Sequence, residues 1–153
     1  MQIAPSGTRW RAVRPPRFEN TDCQHDDLRE FFFSPDEDEF PRARRVREEV
    51  ARRHCVECPF VVECALHGLE HEDYGVWGGL SELDRSALGG RGYGVTGTRS
   101  VNRVVQTLRR AGLSDDKIKA IGLLWRARQA QIAVEEPLRE ETALVAPYEG
   151  EVA

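Results

Sequence analysis

HCVECPFVVECALHGLEHEDYGVWGG, residues 54–79, sets three of the chain's four cysteines within ten positions and then places Trp77 inside a glycine-rich turn. Cys55 and Cys58, three apart across a loop-to-helix junction, can turn both sulfurs toward one centre. Pro59 marks a helix start with Cys58 at the capping position, where the helix dipole favours a thiolate. Cys64 follows on that helix, and Cys23 arrives from 32 positions upstream. Four thiolates suit a structural zinc site or an iron-sulfur cluster. Zinc ribbons and fingers present two tight ligand pairs, whereas one pair and two singles suit a cubane with four separate iron corners better. On spacing alone, zinc and free or disulfide-bonded thiols stay open as alternatives. His54, His67 and His71 read as solvated or supporting side chains. A thiol-disulfide oxidoreductase built on Cys55 and Cys58 lacks the βαβ pattern such a site needs.

Outward from this stretch the periodicity is helical. TDCQHDDLREFFF (21–33) predicts a short helix capped by Thr21 or Asp22, with Leu28, Phe31 and Phe32 on one face and Ser34-Pro35 ending it. SPDEDEF (34–40) reads as a solvated acidic loop. Residues 41–54 predict a second helix starting at Pro41, with Ala43, Val46, Val50 and Ala51 as its apolar stripe. FVVECALHGL (60–69) is the third, and LSELDRSAL (80–88) a short fourth with Ser81 as cap and Asp84 three residues on. GGRGYGVTG (89–97) marks a linker. Val101, Val104, Val105 and Leu108, then Ile118, Ile121, Leu124 and Trp125, predict an amphipathic pair joined at AGLS. Residues 1–20 read as a disordered basic arm and 132–153 as a disordered acidic tail.

The 153 residues are 40% apolar and carry a formal charge of −4, a mean that conceals a strong division. Residues 19–40 carry −8 and 55–84 carry −7, whereas 85–131 hold ten basic and two acidic residues. Local charge is what a phosphate backbone senses, so the basic third stays compatible with nucleic acid. No N-terminal run reads as a secretory signal and no apolar stretch approaches membrane-spanning length. A cytoplasmic location with reduced thiols is the expectation.

Cys23 with Phe31 and Phe32 behind it, then CVECPFVVEC, then GVWGG followed by LSE, resembles the WhiB-like iron-sulfur transcription factors of actinobacteria and their phages, over roughly residues 18–88. The resemblance implies an all-α fold: a small bundle of short helices around a [4Fe-4S] cluster ligated by Cys23, Cys55, Cys58 and Cys64. It implies that the turn of Gly75, Gly78 and Gly79 presents Trp77, with Phe31 and Phe32, to the C-terminal region of the primary sigma factor in RNA polymerase. Phe18, five before Cys23, is the counterpart of an upstream aromatic that recurs in the family. It implies a regulator and not an enzyme, a cluster able to respond to oxygen or nitric oxide, and a chain expected to be monomeric outside the polymerase complex. The rival is a zinc-stabilised DNA-binding module.

Family members follow the turn with a short basic tail that touches promoter DNA, and here the sequence departs. It has a glycine linker with an AT-hook-like Arg91-Gly92 core, then the amphipathic pair as a basic, helix-turn-helix-like extension over 99–131. Arg99, Arg103, Arg109, Arg110, Lys117, Lys119, Arg126 and Arg128 are its candidate DNA contacts. Sequence readout, general phosphate contact and plain packing are the three roles open to it.

Overall fold

The computed structural model describes residues 18–34, 38–92 and 99–145. Most of the expected basic arm, the centre of the acidic loop, the middle of the glycine linker and the end of the acidic tail lie outside these residues. The described chain is helical, with one isolated antiparallel bridge between Trp77 and Leu80.

A 3-10 turn at Asp22–Gln24 precedes α1, Asp26–Phe32. The cap expected at Thr21 or Asp22 falls instead at His25, because Thr21 turns inward and its hydroxyl lies 3.3 Å from the Cys23 sulfur. α2, Pro41–Val56, begins with proline as expected and runs through Cys55. Its buried side is Arg47, Glu48, Ala51, Arg52 and Cys55, and the expected stripe is displaced, with Val46 59% exposed. The reason is spacing: residues three, four, seven and eight before Cys55 share its face, so the helix that turns Cys55 inward buries charged residues with it.

α3, Val61–His71, starts three residues after Cys58, whose carbonyl accepts the Val61 N–H at 3.3 Å. Cys58 therefore lies in the loop and does not cap the helix, since Pro59 and Phe60 complete a turn first. α4, Glu82–Ala87, carries a full capping box: Asp84 N donates to Ser81 Oγ at 3.3 Å and Ser81 N donates to Asp84 Oδ2 at 2.9 Å. α5, Val101–Ala111, is capped by Ser100 and closed by Gly112 at φ 103°. The Leu113 N–H then reaches back to the Leu108 carbonyl at 3.0 Å, the bond that ends a helix on a left-handed residue.

α6 runs from Asp115 to Val145 with Pro137 inside it. The acidic tail expected from 132 is helical through 145. Pro137 removes one N–H. Leu138, Arg139, Glu140, Glu141 and Ala143 all favour helix, and Arg139 pairs with Glu135 one turn away at 3.3 Å. Leu124 faces solvent, leaving Ile118, Ile121 and Trp125 as the inward face.

The core joins Phe32, Ala51, Cys55, Val61, Ala65, Leu69, Val76 and Leu80 to Val104, Leu108, Leu113, Ile121 and Trp125. Five of these thirteen come from beyond residue 98, so the basic extension shares the core of the cysteine domain. Trp125 Nε1 donates to the Leu88 carbonyl at 2.8 Å, and Arg128 Nε donates to Glu70 at 2.9 Å. The expected linker begins docked as well, with Arg91 N bonded to the Leu69 carbonyl at 2.8 Å.

Candidate functional site

Cys23 on the 3-10 turn, Cys55 in the last turn of α2, Cys58 in the connecting loop and Cys64 in the first turn of α3 line one cavity of about 370 Å³. Its remaining walls are largely apolar, among them Phe18, Phe32, Val61, Val76 and Trp77. All four thiols are free. The segment bearing Cys23 is fastened to the end of α2 by His54 Nδ1 and Asp22 Oδ2 at 2.8 Å. His67 meets Glu72 at 2.9 Å and His71 faces Glu70 at 3.8 Å, so both have carboxylate partners, and neither lines the cavity.

Burial pushes the Cys55 thiol far up, and it pushes Cys64 up to about 12. Backbone N–H groups oppose the rise, Gly79 toward Cys55 and Gly78 toward Cys64, and the other sulfurs add to it by mutual repulsion. Sulfurs in this setting become thiolates only against a compensating cation. Four sulfurs, apolar walls and backbone donors aimed at sulfur match what an iron-sulfur cluster uses. Among the described residues, no three Cys, His, Asp or Glu side chains gather closely enough to hold one metal ion.

The glycine turn is the wall that supplies those donors. Gly78 and Gly79, at φ 58° and 79°, form a two-residue reversal closed by Trp77 N to Leu80 O and Leu80 N to Trp77 O, both 3.0 Å. A β-carbon at Gly78 would overlap the α3 backbone at Val61 and Ala65. Buried charges brace the turn from behind. Arg85 Nη1 donates to the carbonyls of Gly75 and Leu80 at 2.6 and 2.9 Å, and Gly75 N donates to Glu82 Oε1 at 2.9 Å. Arg52 Nε donates to the Gly79 carbonyl at 3.1 Å while its Nη2 binds Asp84 at 2.9 Å. Sequence reading missed Arg52, Glu82 and Arg85. The available signal was the position of Arg52 one turn before Cys55, on the same face.

The aromatic residues separate into four environments. Trp77 Nε1 donates to the Tyr74 carbonyl at 2.8 Å, its ring stands 5.2 Å from His67, and Phe33 meets it edge-on at 6.3 Å. Phe32, expected to share this surface, is buried, and its carbonyl accepts the Val76 N–H at 2.8 Å. Phe31 lines a separate groove with Phe40 and Val46. Phe18 stacks on Phe60 at 4.8 Å beside the cysteines. Alternation explains the outcome: α1 ends at Phe32, and the extended Phe33 points where a continued helix would not.

The candidate DNA residues also divide. Arg91 pairs with Asp73, Arg99 with Asp84, Arg109 with Asp115 and Arg128 with Glu70. Arg103, Arg110, Lys119 and Arg126 are exposed and Lys117 is half-exposed, with no carboxylate ion pair among the described residues. They lie on α5 and on the first half of α6.

Comparison with known proteins bears on residues 18–88, which match the family described as transcription factor WhiB. The transcriptional regulator WhiD of Streptomyces coelicolor is 51% identical over 61 residues, covering 39% of this chain and 54% of WhiD. The redox- and pH-responsive transcriptional regulator WhiB3 of Mycobacterium tuberculosis is 52% identical over 58 residues, covering 37% of this chain and 56% of WhiB3. WhiB3 of Mycolicibacterium smegmatis, described as redox-responsive, is 48% identical over 62 residues, 40% of this chain and 64% of that protein. The chain thus spans between half and two thirds of these relatives' lengths. No solved structure matches it. Among the described residues no helix is long and apolar enough to cross a membrane. With its four cysteines on one cavity and the GVWGG turn as its wall, the chain belongs, through residues 18–88, to the WhiB-like family.

Proposed function

We propose that this chain is a transcriptional regulator, not an enzyme, that holds a [4Fe-4S] cluster on Cys23, Cys55, Cys58 and Cys64. The observation that carries the reading is the convergence of four free thiols on one largely apolar cavity. When bound, the cluster supplies one-electron chemistry and a site for oxidants to attack. The residues of this chain fix the sulfurs, exclude water through Phe18, Phe32 and Val76, and tie the turn to the ligands. That the WhiB3 relatives are redox-responsive by name supports a redox or nitric oxide switch here.

In this reading the turn presents Trp77 and Phe33 to the C-terminal region of the primary sigma factor within RNA polymerase. Phe32 acts from inside by holding Val76, and Phe31 and Phe18 lie to either side. Desolvated aromatic side chains are strong interface anchors. Arg103, Arg110, Lys117, Lys119 and Arg126 are the charges left to meet promoter DNA, whether as a helix-turn-helix or through phosphates alone.

Iron, sulfide and zinc content of protein purified without oxygen, with sigma-factor co-purification scored in the same sample, tests the proposal. About four irons and four sulfides per chain with bound sigma factor is the expected result. About one zinc and no sulfide would replace it with a zinc-stabilised DNA-binding module. For the DNA arm, reversing Arg103 and Arg110 to glutamate is expected to weaken promoter binding and flatten its salt dependence by about two phosphate contacts. An unchanged slope removes the phosphate role.

A further inference from the structure

α6 continues well past the part of it that packs on the rest of the protein. At 1.5 Å per residue its 31 residues extend about 46 Å. Its inward face, Ile118, Ile121, Trp125 and Arg128, docks against the rest of the protein, but from Ala133 to Leu144 every described residue except Glu135 is exposed. A dozen solvated residues interrupted by Pro137 make a marginal helix in water. This one also exposes large apolar side chains: Leu123, Val134 and Leu138 are 62, 64 and 58% accessible.

Those side chains follow a pattern. Leu123, Ala127, Ala130, Val134 and Leu138 are spaced by four, three, four and four residues, so they form a stripe roughly 150° round the helix from the Ile121–Trp125 face. Alanines at the middle of the stripe permit close approach of a second backbone. Charge is distributed along the helix with the same polarity. Residues 117–128 contain Lys117, Lys119, Arg126 and Arg128 and no acid, and 135–141 contain Glu135, Glu136, Glu140 and Glu141 against a single Arg139.

We propose that the outward stripe of α6 is the seam of a homodimer, in which two copies of this chain pair antiparallel about Ala130. In that register Lys119 of one copy lies beside Glu140 and Glu141 of the second, Arg126 lies over the second copy's Ala133–Val134 level, and the leucines at 123 meet the Pro137–Leu138 level. A parallel pairing would set Glu140 and Glu141 against themselves, which like-charge repulsion disfavours. The occupant is a second copy because Lys119 and Arg126, and Glu140 and Glu141, have no ion pair among the described residues, and a reversed copy of the same helix brings the two sets together. The seam uses the face of α6 turned away from Ile121 and Trp125 and includes none of the four cysteines. It differs from the monomer expected from the family resemblance.

Sedimentation equilibrium of the full chain tests the proposal, with mass read against concentration. The expected result is a concentration-dependent species of twice the 17.4 kDa chain mass. Val134→Asp with Leu138→Asp is expected to weaken self-association at least tenfold, with helicity by circular dichroism checked in parallel. Glu140→Lys with Glu141→Lys is expected to weaken it too, and adding Lys119→Glu with Arg126→Glu to that chain to restore it. A single-chain mass at every concentration overturns the proposal, as does a dimer indifferent to the aspartates. Failure of the fourfold charge exchange to restore the dimer overturns the antiparallel register.

Discussion

Arg85 donates Nη1–H to the carbonyl of Gly75 at 2.6 Å from a position with no solvent exposure. The same side chain reaches Leu80 O and, through Nε, Arg91 O at 2.9 Å, so one cation closes three backbone acceptors around the turn that carries Trp77. Burial holds its pKa below the ordinary guanidinium value, with Glu82 and Asp84 opposing the drop. Replacing Arg85 by methionine keeps much of the volume but removes its donors from all three acceptors, of which Leu80 O keeps the Trp77 N–H. We expect a loss of about 3–5 kcal/mol in stability, measured by denaturant unfolding. Lysine is not expected to rescue, since one ammonium cannot span the three carbonyls.

Gly78→Ala and Gly112→Ala form a matched pair. Both positions have positive φ, but a β-carbon at Gly112 meets only Val56 Cγ2 at 4.0 Å, whereas at Gly78 it overlaps α3. The Gly112 change is expected to cost about 1 kcal/mol through backbone strain alone. The Gly78 change is expected to cost more than about 2 kcal/mol and to displace the N–H aimed at Cys64. Equal melting shifts for the two would show that the turn does not press on α3.

Acid stability follows from two classes of carboxylate. Arg47 holds Glu39 low by hydrogen bonding, and Arg128 does the same for Glu70. At Asp84, burial raises the pKa, but Arg52, the Ser81 N–H and Arg99 together outweigh it and the net shift is downward. A depressed folded pKa gives stability that is present above the unfolded values, near 4.5 for glutamate and 3.8 for aspartate, and is lost as pH falls through the folded ones. Glu48 is the opposite case. Burial raises it more than Arg52, 3.6 Å away and committed to Asp84, lowers it. Its contribution is fully present below its unfolded value near 4.5 and is lost as pH rises through its higher folded value. Chemical unfolding against pH should therefore hold level or rise slightly from neutrality toward pH 4.5 and fall below about 4. Glu48→Gln should remove the rise, and Asp84→Asn should reduce the fall along with overall stability.

Trp125→Ala is expected to destabilise the whole chain by about 3–5 kcal/mol, because the indole fills the core and its Nε1 binds Leu88 O. Unfolding should stay a single transition whether followed by cysteine reactivity or by helicity. Two separated transitions would mean that the extension folds independently. For the same reason, deleting 99–131 is not a clean test of DNA contact, since it strips Val104, Leu108 and Leu113 from the core.

Phe33→Ala and Trp77→Ala are expected to weaken sigma-factor binding by at least tenfold, while Phe31→Ala, on another groove, changes it far less. Binding measured on protein of verified iron content separates this effect from cofactor loss.

Helix order and the joining of four cysteines were legible because periodicity and CxxC spacing are local signals. What stayed hidden was global. Which face of α2 turns inward is decided by Cys55, and no apolar stripe announces that Arg47, Glu48 and Arg52 go with it. Phe32 and Phe33 are adjacent, so a one-residue difference in where α1 stops exchanges a core residue for a surface one. The docking of α5 and α6 depends on Val104, Leu108, Ile121 and Trp125 finding a core laid down by residues far earlier, which amphipathicity alone does not specify.

Leu108 Cδ2 lies 3.3 Å from where a β-carbon of Gly79 would stand, and Gly79 directs its N–H at the Cys55 sulfur. The separation between that sulfur and α5 is therefore one residue without a side chain. A helix made late in the chain rests, through this thin partition, on a cysteine made early. The seat of α5 is therefore set by the depth of a glycine turn, and a side chain at position 79 would press on Leu108 before it met Cys55.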